Sequence, residues 1–172
     1  SSGAALALLA AARGLPVRRL VLWEPPYILD EAARPRPGAA EAIERLVAEG
    51  RRGDAVAYFL TRVVGMPAEV VASARSQPGW AAQEKLAHTL VYDDRILGDY
   101  AVPVDRAAEV AVPTLILTGG ESMPFFRSTA EALAEAIPDA RAEVLDGLQH
   151  VPDPKLLAPV VKAFLQGAPS RS

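Results

Sequence analysis

Residues 1–26, SSGAALALLAAARGLPVRRLVLWEPP, decide how the rest of the chain is arranged. Ala4 to Ala12 carry Ala and Leu almost without a break, a composition that favours helix by propensity. A helix apolar nearly all round is expected to be covered on more than one side. Gly14 and Pro16 end it in the usual order. Val17 to Trp23 then has the β-branched and aromatic content of a strand, and Pro25-Pro26 lack the N–H groups that would continue a ladder. Helix, turn and strand in this order make half of a right-handed crossover, whose other half would be a parallel strand ending at Ser1.

Outward from this stretch the sheet pattern stops and helices take over. RPRPG at 34–38 reads as a stiff turn. Residues 39–49 predict an amphipathic helix on Ile43, Leu46 and Val47, and Asp54 is placed as the cap of a helix over about 55–64 with Val56, Phe59, Leu60 and Val63 as its buried stripe. A third helix is expected over 68–75 with Pro67 in its first turn, and a fourth over 80–90 anchored by Trp80, Leu86 and Leu90 and running on through VYDDRILGDY. The block from about 36 to 100 carries no good strand and reads as an excursion from a sheet, such as a lid.

The sheet resumes in Pro113 to Thr118 (PTLILT), a continuous apolar run of the kind covered on both faces, followed by Gly119-Gly120. A helix from Ser128 or Thr129 to about Ile137, a short strand over 141–145 (RAEVL) and a closing helix over 156–165 with Pro159 near its first turn complete the pattern; 168–172 reads as a frayed tail. One crossover helix per parallel strand is the α/β rule.

Composition narrows the function classes. The 172 residues are 51% hydrophobic, which suits a globular core. With 18 basic and 21 acidic residues, a net charge of -3 gives no electrostatic reason to expect nucleic acid. The absence of cysteine excludes disulfides, thiolate chemistry and cysteine-ligated metal, and two well-separated histidines lack zinc-ligand spacing. No cofactor and no metal are expected. No apolar run approaches the roughly 20 residues that span a bilayer, so no membrane association is expected and a cytoplasmic location is the default.

An open α/β sheet places its site outside the carboxyl ends of its strands. The residues marked there are Ser1-Ser2-Gly3, Glu24 after VLW, Gly119 to Ser122 after LILT, and His150 beyond RAEVL. A serine, a carboxylate and a histidine converging on one crevice suit nucleophilic acyl transfer. The hydroxyl is weak until an imidazole takes its proton, and a carboxylate orients that imidazole through its other nitrogen. His88, within a predicted helix, reads as packing or surface. Met123, Phe125, Phe126 and Trp80 read as core or pocket wall, and Gly119-Gly120 lacks the further glycines and lysine of a phosphate loop.

SSGAALALLAAARG followed by VRRLVLWEPPY resembles the segment after the first glycine of an α/β-hydrolase nucleophile elbow, G-x-S-x-G, with Ser1 as nucleophile, Ser2 as the variable residue and Gly3 as the closing glycine. PTLILTGGES, RAEVLDGLQHV and LAPVVKAFL resemble the last two strand–helix units of that fold, in which the histidine follows the final strand, as His150 does here. The likeness covers about 1–30 and 105–166 and is greatest to small serine hydrolases of high-GC soil bacteria. The implied architecture is part of a mostly parallel α/β-hydrolase sheet: the nucleophile helix and following strand in 1–35, a helical cap in 36–104 and the C-terminal part of the core in 105–172. A separate N-terminal polypeptide of the same fold would complete the sheet. A homodimer of the completed unit is compatible with this reading.

The resemblance implies a serine esterase that cleaves a hydrophobic small-molecule acyl substrate through an acyl-enzyme, with the Ser2 backbone N–H in the oxyanion hole. Its acid is the point of departure. The common G-x-x-D loop, laid on Gly119-Gly120-Glu121-Ser122, delivers Ser122, which cannot serve. Some members, including the haloalkane dehalogenases, carry the acid directly after the strand that follows the nucleophile helix, where Glu24 stands. Glu24 is the favoured acid, Glu121 the alternative, and Asp93 or Asp94 a more distant one. Two other accounts compete: Ser1 as a true amino-terminal nucleophile with its own α-amine as base, and a non-catalytic hydrolase-like binding protein with a degenerate acid position.

Overall fold

In the computed structural model, residues 1–167 are described, so the expected tail at 168–172 lies outside the described residues. In chain order the elements are α1 (Ser2–Ala12), β1 (Leu20–Trp23), α2 (Ala39–Ala48), α3 (Arg52–Tyr58), α4 (Ala68–Ala74), α5 (Trp80–Leu86), α6 (Leu90–Leu97), α7 (Val104–Ala108), β2 (Thr114–Gly119), α8 (Phe125–Ala136), β3 (Ala140–Leu145) and α9 (Pro154–Leu165). They divide into two units, one of Ser1–Glu31 with Ala101–Ser172 and one of Ala32–Tyr100.

The first unit holds a parallel sheet in the order β1-β2-β3. Leu20 pairs with Thr114 and Trp23 with Leu117, while Thr114 pairs with Ala140 and Gly119 with Leu145. The register explains why β1 is shorter than the apolar pattern over 17–23: β2 begins at Thr114, so the residues before Leu20 face no partner strand. β2 is central and buried along its whole length. Leu115, Leu117, Val21, Trp23 and Leu145 share one sheet face, where Phe164, Leu157, Val160 and Val161 of α9 pack. By the period of two, Leu20, Leu22 and Ile116 point to the other face, and α1 and α8 pack on the sheet together with α7. Coverage on both faces is why PTLILT carries no polar alternation.

Three boundaries in this unit differ from the sequence pattern. α7 occupies residues for which the pattern indicated no element. α8 starts at Phe125 rather than Ser128, with Pro124 at its N-cap position. α9 starts at Pro154, whose missing N–H costs nothing in a first turn, and Asp153 caps it by accepting the Lys155 N–H at 2.8 Å.

The second unit is helical, and no strand occurs in it. Ile43, Ala55, Val56, Val71, Trp80, Ala87 and Val91 form its core. Asp54 does not cap α3. It sits inside the first turn and bonds Arg75 at 2.6 Å and Arg51 at 2.9 Å, and these guanidiniums hold its carboxyl below the usual range. α3 loosens into a π turn over Phe59–Val63, where the Thr61 hydroxyl donates to the carbonyls of Ala57 (2.8 Å) and Tyr58 (3.2 Å). The expected long helix from Trp80 breaks into a 3-10 turn at Ala87–Thr89. That break re-phases the chain so that Ala87 is buried while Leu86, expected as an anchor, is 60% exposed.

Asp94 has a structural task in this unit. Its carboxylate accepts the Ala40 N–H at 3.0 Å, which satisfies an amide at the start of α2, and the Tyr100 hydroxyl at 2.8 Å. Burial, reinforced by Asp94, pushes the Tyr100 hydroxyl far above its ordinary value. Among the described residues no helix is long and apolar enough to cross a membrane.

Candidate active site

Glu24 ends β1. Its backbone N–H still donates to the Leu117 carbonyl at 3.0 Å, but its φ of 45° is left-handed, a conformation a side-chain-bearing residue adopts only when its surroundings hold it there. The turn sends the Glu24 side chain inward, where it is 0% exposed. A buried carboxylate is costly unless hydrogen-bonded, and both oxygens are engaged. Oε1 accepts the Gly119 N–H at 2.8 Å, and Oε2 lies 2.5 Å from His150 Nδ1.

Gly119 is what allows this geometry. A Cβ at that position would collide with the backbone carbonyl of Leu148 and stand 2.8 Å from Ser122 Oγ. The absence of a side chain lets the loop after β2 lie against the loop after β3. Gly120 N–H donates to Leu145 O at 2.9 Å and Glu121 N–H to Leu148 O at 3.0 Å. Buried Leu148 anchors the second loop, and His150 follows two residues later.

The His150 side chain is 44% exposed. Its imidazole stacks on Phe126 of α8, with centroids 5.0 Å apart and planes inclined by 12°, and its backbone carbonyl accepts the Trp23 indole N–H at 3.0 Å. An ionised carboxylate only accepts hydrogen bonds, so the Nδ1 proton is assigned to the Glu24 side. Nε2 then carries the lone pair, which is the state required of a general base.

Ser1 stands at the same sheet edge. Its backbone nitrogen donates to the Trp23 carbonyl at 2.6 Å, so Ser1 and His150 are both tied to Trp23. Ser1 occupies the N-cap position of α1, yet its side chain makes no capping hydrogen bond. The Ser2 N–H belongs to the first turn of α1, where helical geometry leaves amides pointing outward. Glu121 is exposed and its carboxylate accepts from Gln149 Nε2 at 3.3 Å. The carboxylate brought to His150 is Glu24, not Glu121, and Asp94 is engaged in the helical unit. His88 is exposed in the 3-10 turn of that unit.

Sequence reasoning missed the contributions of Trp23 and Phe126 to this edge. Trp23 is the last residue of a strand and could have been flagged by its place beside Glu24. Phe126 gave no such signal, because a helix starting at Ser128 leaves it in a loop. Among the described residues no group of His, Asp and Glu could hold a metal ion.

The fold is that of solved α/β hydrolases. An alpha/beta hydrolase from Sphaerobacter thermophilus DSM 20745 is similar with a TM-score of 0.86 at 45% identity, covering 96% of this chain and 65% of that one. The serine hydrolase CCSP0084 from the polyaromatic hydrocarbon-degrading bacterium Cycloclasticus zankles has a TM-score of 0.57 at 17% identity, covering 96% and 61%. MenH from S. aureus has a TM-score of 0.55 at 23% identity, covering 97% and 64%. The last two share the fold alone. No protein-family model and no curated protein sequence matches the chain. The chain spans 65% of the length of the Sphaerobacter hydrolase, and over that span it has the α/β-hydrolase fold with a parallel sheet.

Proposed function

We propose that the complete protein is a serine hydrolase cleaving an ester or related acyl bond of an apolar small molecule. The observation that carries this reading is the Glu24–His150 pair: a fully buried carboxylate on Nδ1 of a half-exposed imidazole at the carboxyl edge of a parallel sheet. Ser1 is the nucleophile. His150 Nε2 takes the proton of Ser1 Oγ as that oxygen attacks the acyl carbon, and Glu24 stabilises the imidazolium that results. The Ser2 N–H and a second donor from outside this chain hold the oxyanion. Collapse of the tetrahedral intermediate passes the proton from His150 to the leaving alcohol. Water, deprotonated by His150, then attacks the acyl-serine and releases the acid.

Apolar substrate character is supported by Val151, which directly follows His150 and is 87% exposed, and by the exposed Met123 ahead of α8. β1 pairs only with β2 among the described residues, and an open edge of this kind invites another strand. A further parallel strand of a complementary polypeptide segment on that edge is part of the proposal. The competing view of a degenerate binding protein rested on Ser122 standing where an acid is expected. With Glu24 seated on His150, Ser122 is no argument for degeneracy.

Ester hydrolysis by the complete protein tests the reading. Ser1→Ala and His150→Ala are each expected to abolish turnover with the fold intact, and undiminished hydrolysis by either variant overturns it.

A further inference from the structure

We propose that Phe126 is a positioning residue for His150, fixing the plane of the imidazole while Glu24 fixes one of its atoms. The inference rests on the serine-hydrolase reading for its catalytic consequence, but not for its geometry. The Glu24 contact restrains Nδ1 alone and leaves the ring free to tilt about that hydrogen bond. The Trp23 indole holds the backbone carbonyl of His150, not the ring. The element that meets the ring face is Phe126, inclined by only 12° to it at 5.0 Å.

Phe126 can act as a template because it is itself held. It is 3% exposed, sits in the first turn of α8, and packs against Phe125 with centroids 4.1 Å apart. A flat, immobile ring against one face restricts the tilt of the imidazole and so sets the direction of Nε2. Aromatic pairs favour such offset stacks, and a displaced base loses rate steeply because proton transfer demands alignment.

The test compares Phe126→Leu, which keeps apolar bulk and loses the flat face, with Phe126→Tyr, which keeps the face. Phe126→Met replaces the leucine variant if that one does not fold. In the complete protein the leucine change is expected to lower kcat for an ester on the order of 10-fold or more, with KM altered by no more than about twofold. Tyrosine is expected to restore kcat to within about threefold. Independently of turnover, the far-downfield proton resonance of the His150 Nδ1–H is expected to be sharp in the parent and in Phe126→Tyr, and broadened or lost in Phe126→Leu. A resonance and a kcat both unchanged by Phe126→Leu overturn the inference. If the parent hydrolyses no ester, the serine-hydrolase reading fails, and the resonance alone decides whether Phe126 positions His150.

Discussion

The Gly119 amide donates to Glu24 Oε1 at 2.8 Å, so the carboxylate at the end of one strand is held by the backbone at the end of its neighbour. Because the strands are parallel and in register from Leu20↔Thr114, their carboxyl ends lie side by side, and the second oxygen of Glu24 is aimed at His150. The loop geometry, the buried carboxylate and the oriented imidazole therefore stand or fall together.

Glu24→Gln keeps the size of the side chain and its acceptor for Gly119, but presents a neutral amide to His150. The imidazolium loses its counter-charge and the ring can settle in the wrong tautomer. We expect kcat to fall by about 10³-fold or more with little change in thermal stability. Steady-state kinetics on the complete protein with a simple ester, alongside a thermal melt, check both halves of this expectation.

Gly119→Ala tests the close approach of the two loops. The added methyl meets a backbone carbonyl, that of Leu148, which cannot swing aside as a flexible side chain would. A destabilisation of about 1–3 kcal/mol is expected, together with reduced activity, because the shift is transmitted to both Glu24 and His150. Denaturant unfolding gives the first quantity and kcat the second.

Tyr27, just beyond Glu24, is buried with its hydroxyl unpaired, and burial pushes that hydroxyl up to about 12. In the unfolded chain it ionises near its ordinary value of about 10. Between these two pH values the unfolded state binds fewer protons than the folded one, so stability is full below about pH 10 and declines as pH rises through about 12. Tyr27→Phe removes an unsatisfied buried polar group and is expected to raise stability by about 1 kcal/mol at neutral pH. It also makes the alkaline decline shallower, as urea unfolding across pH 8–12 would show.

How far the sequence discloses this arrangement depends on what each feature is made of. The crossover order, the doubly covered central strand and the placing of a serine, a carboxylate and a histidine at strand ends follow from apolar runs and turn residues, which are local. The selection of Glu24 over Glu121 as the partner of His150 is not local. It needs β1 beside β2, a left-handed turn at Glu24 and a glycine at 119 that lets the loops touch. The misplaced features have the same cause. Strand length over 17–23 was limited by where β2 begins, the continuity of the helix from Trp80 by the burial of Ala87, and the start of α8 by Pro124. Asp54 next to a helix start looks like a cap, but two arginines, one of them 21 residues distant, claim its carboxylate.

The central claim, that Ser1 is activated by the His150–Glu24 pair, is tested most directly by covalent labelling with a fluorophosphonate, since only an activated hydroxyl reacts. The complete protein is treated with the probe and the modified peptide is located by mass spectrometry. The account predicts a single adduct on Ser1 that is lost in His150→Ala and strongly slowed in Glu24→Gln. No adduct, an adduct on another residue, or equal labelling of Ser1 in the His150→Ala protein would contradict it.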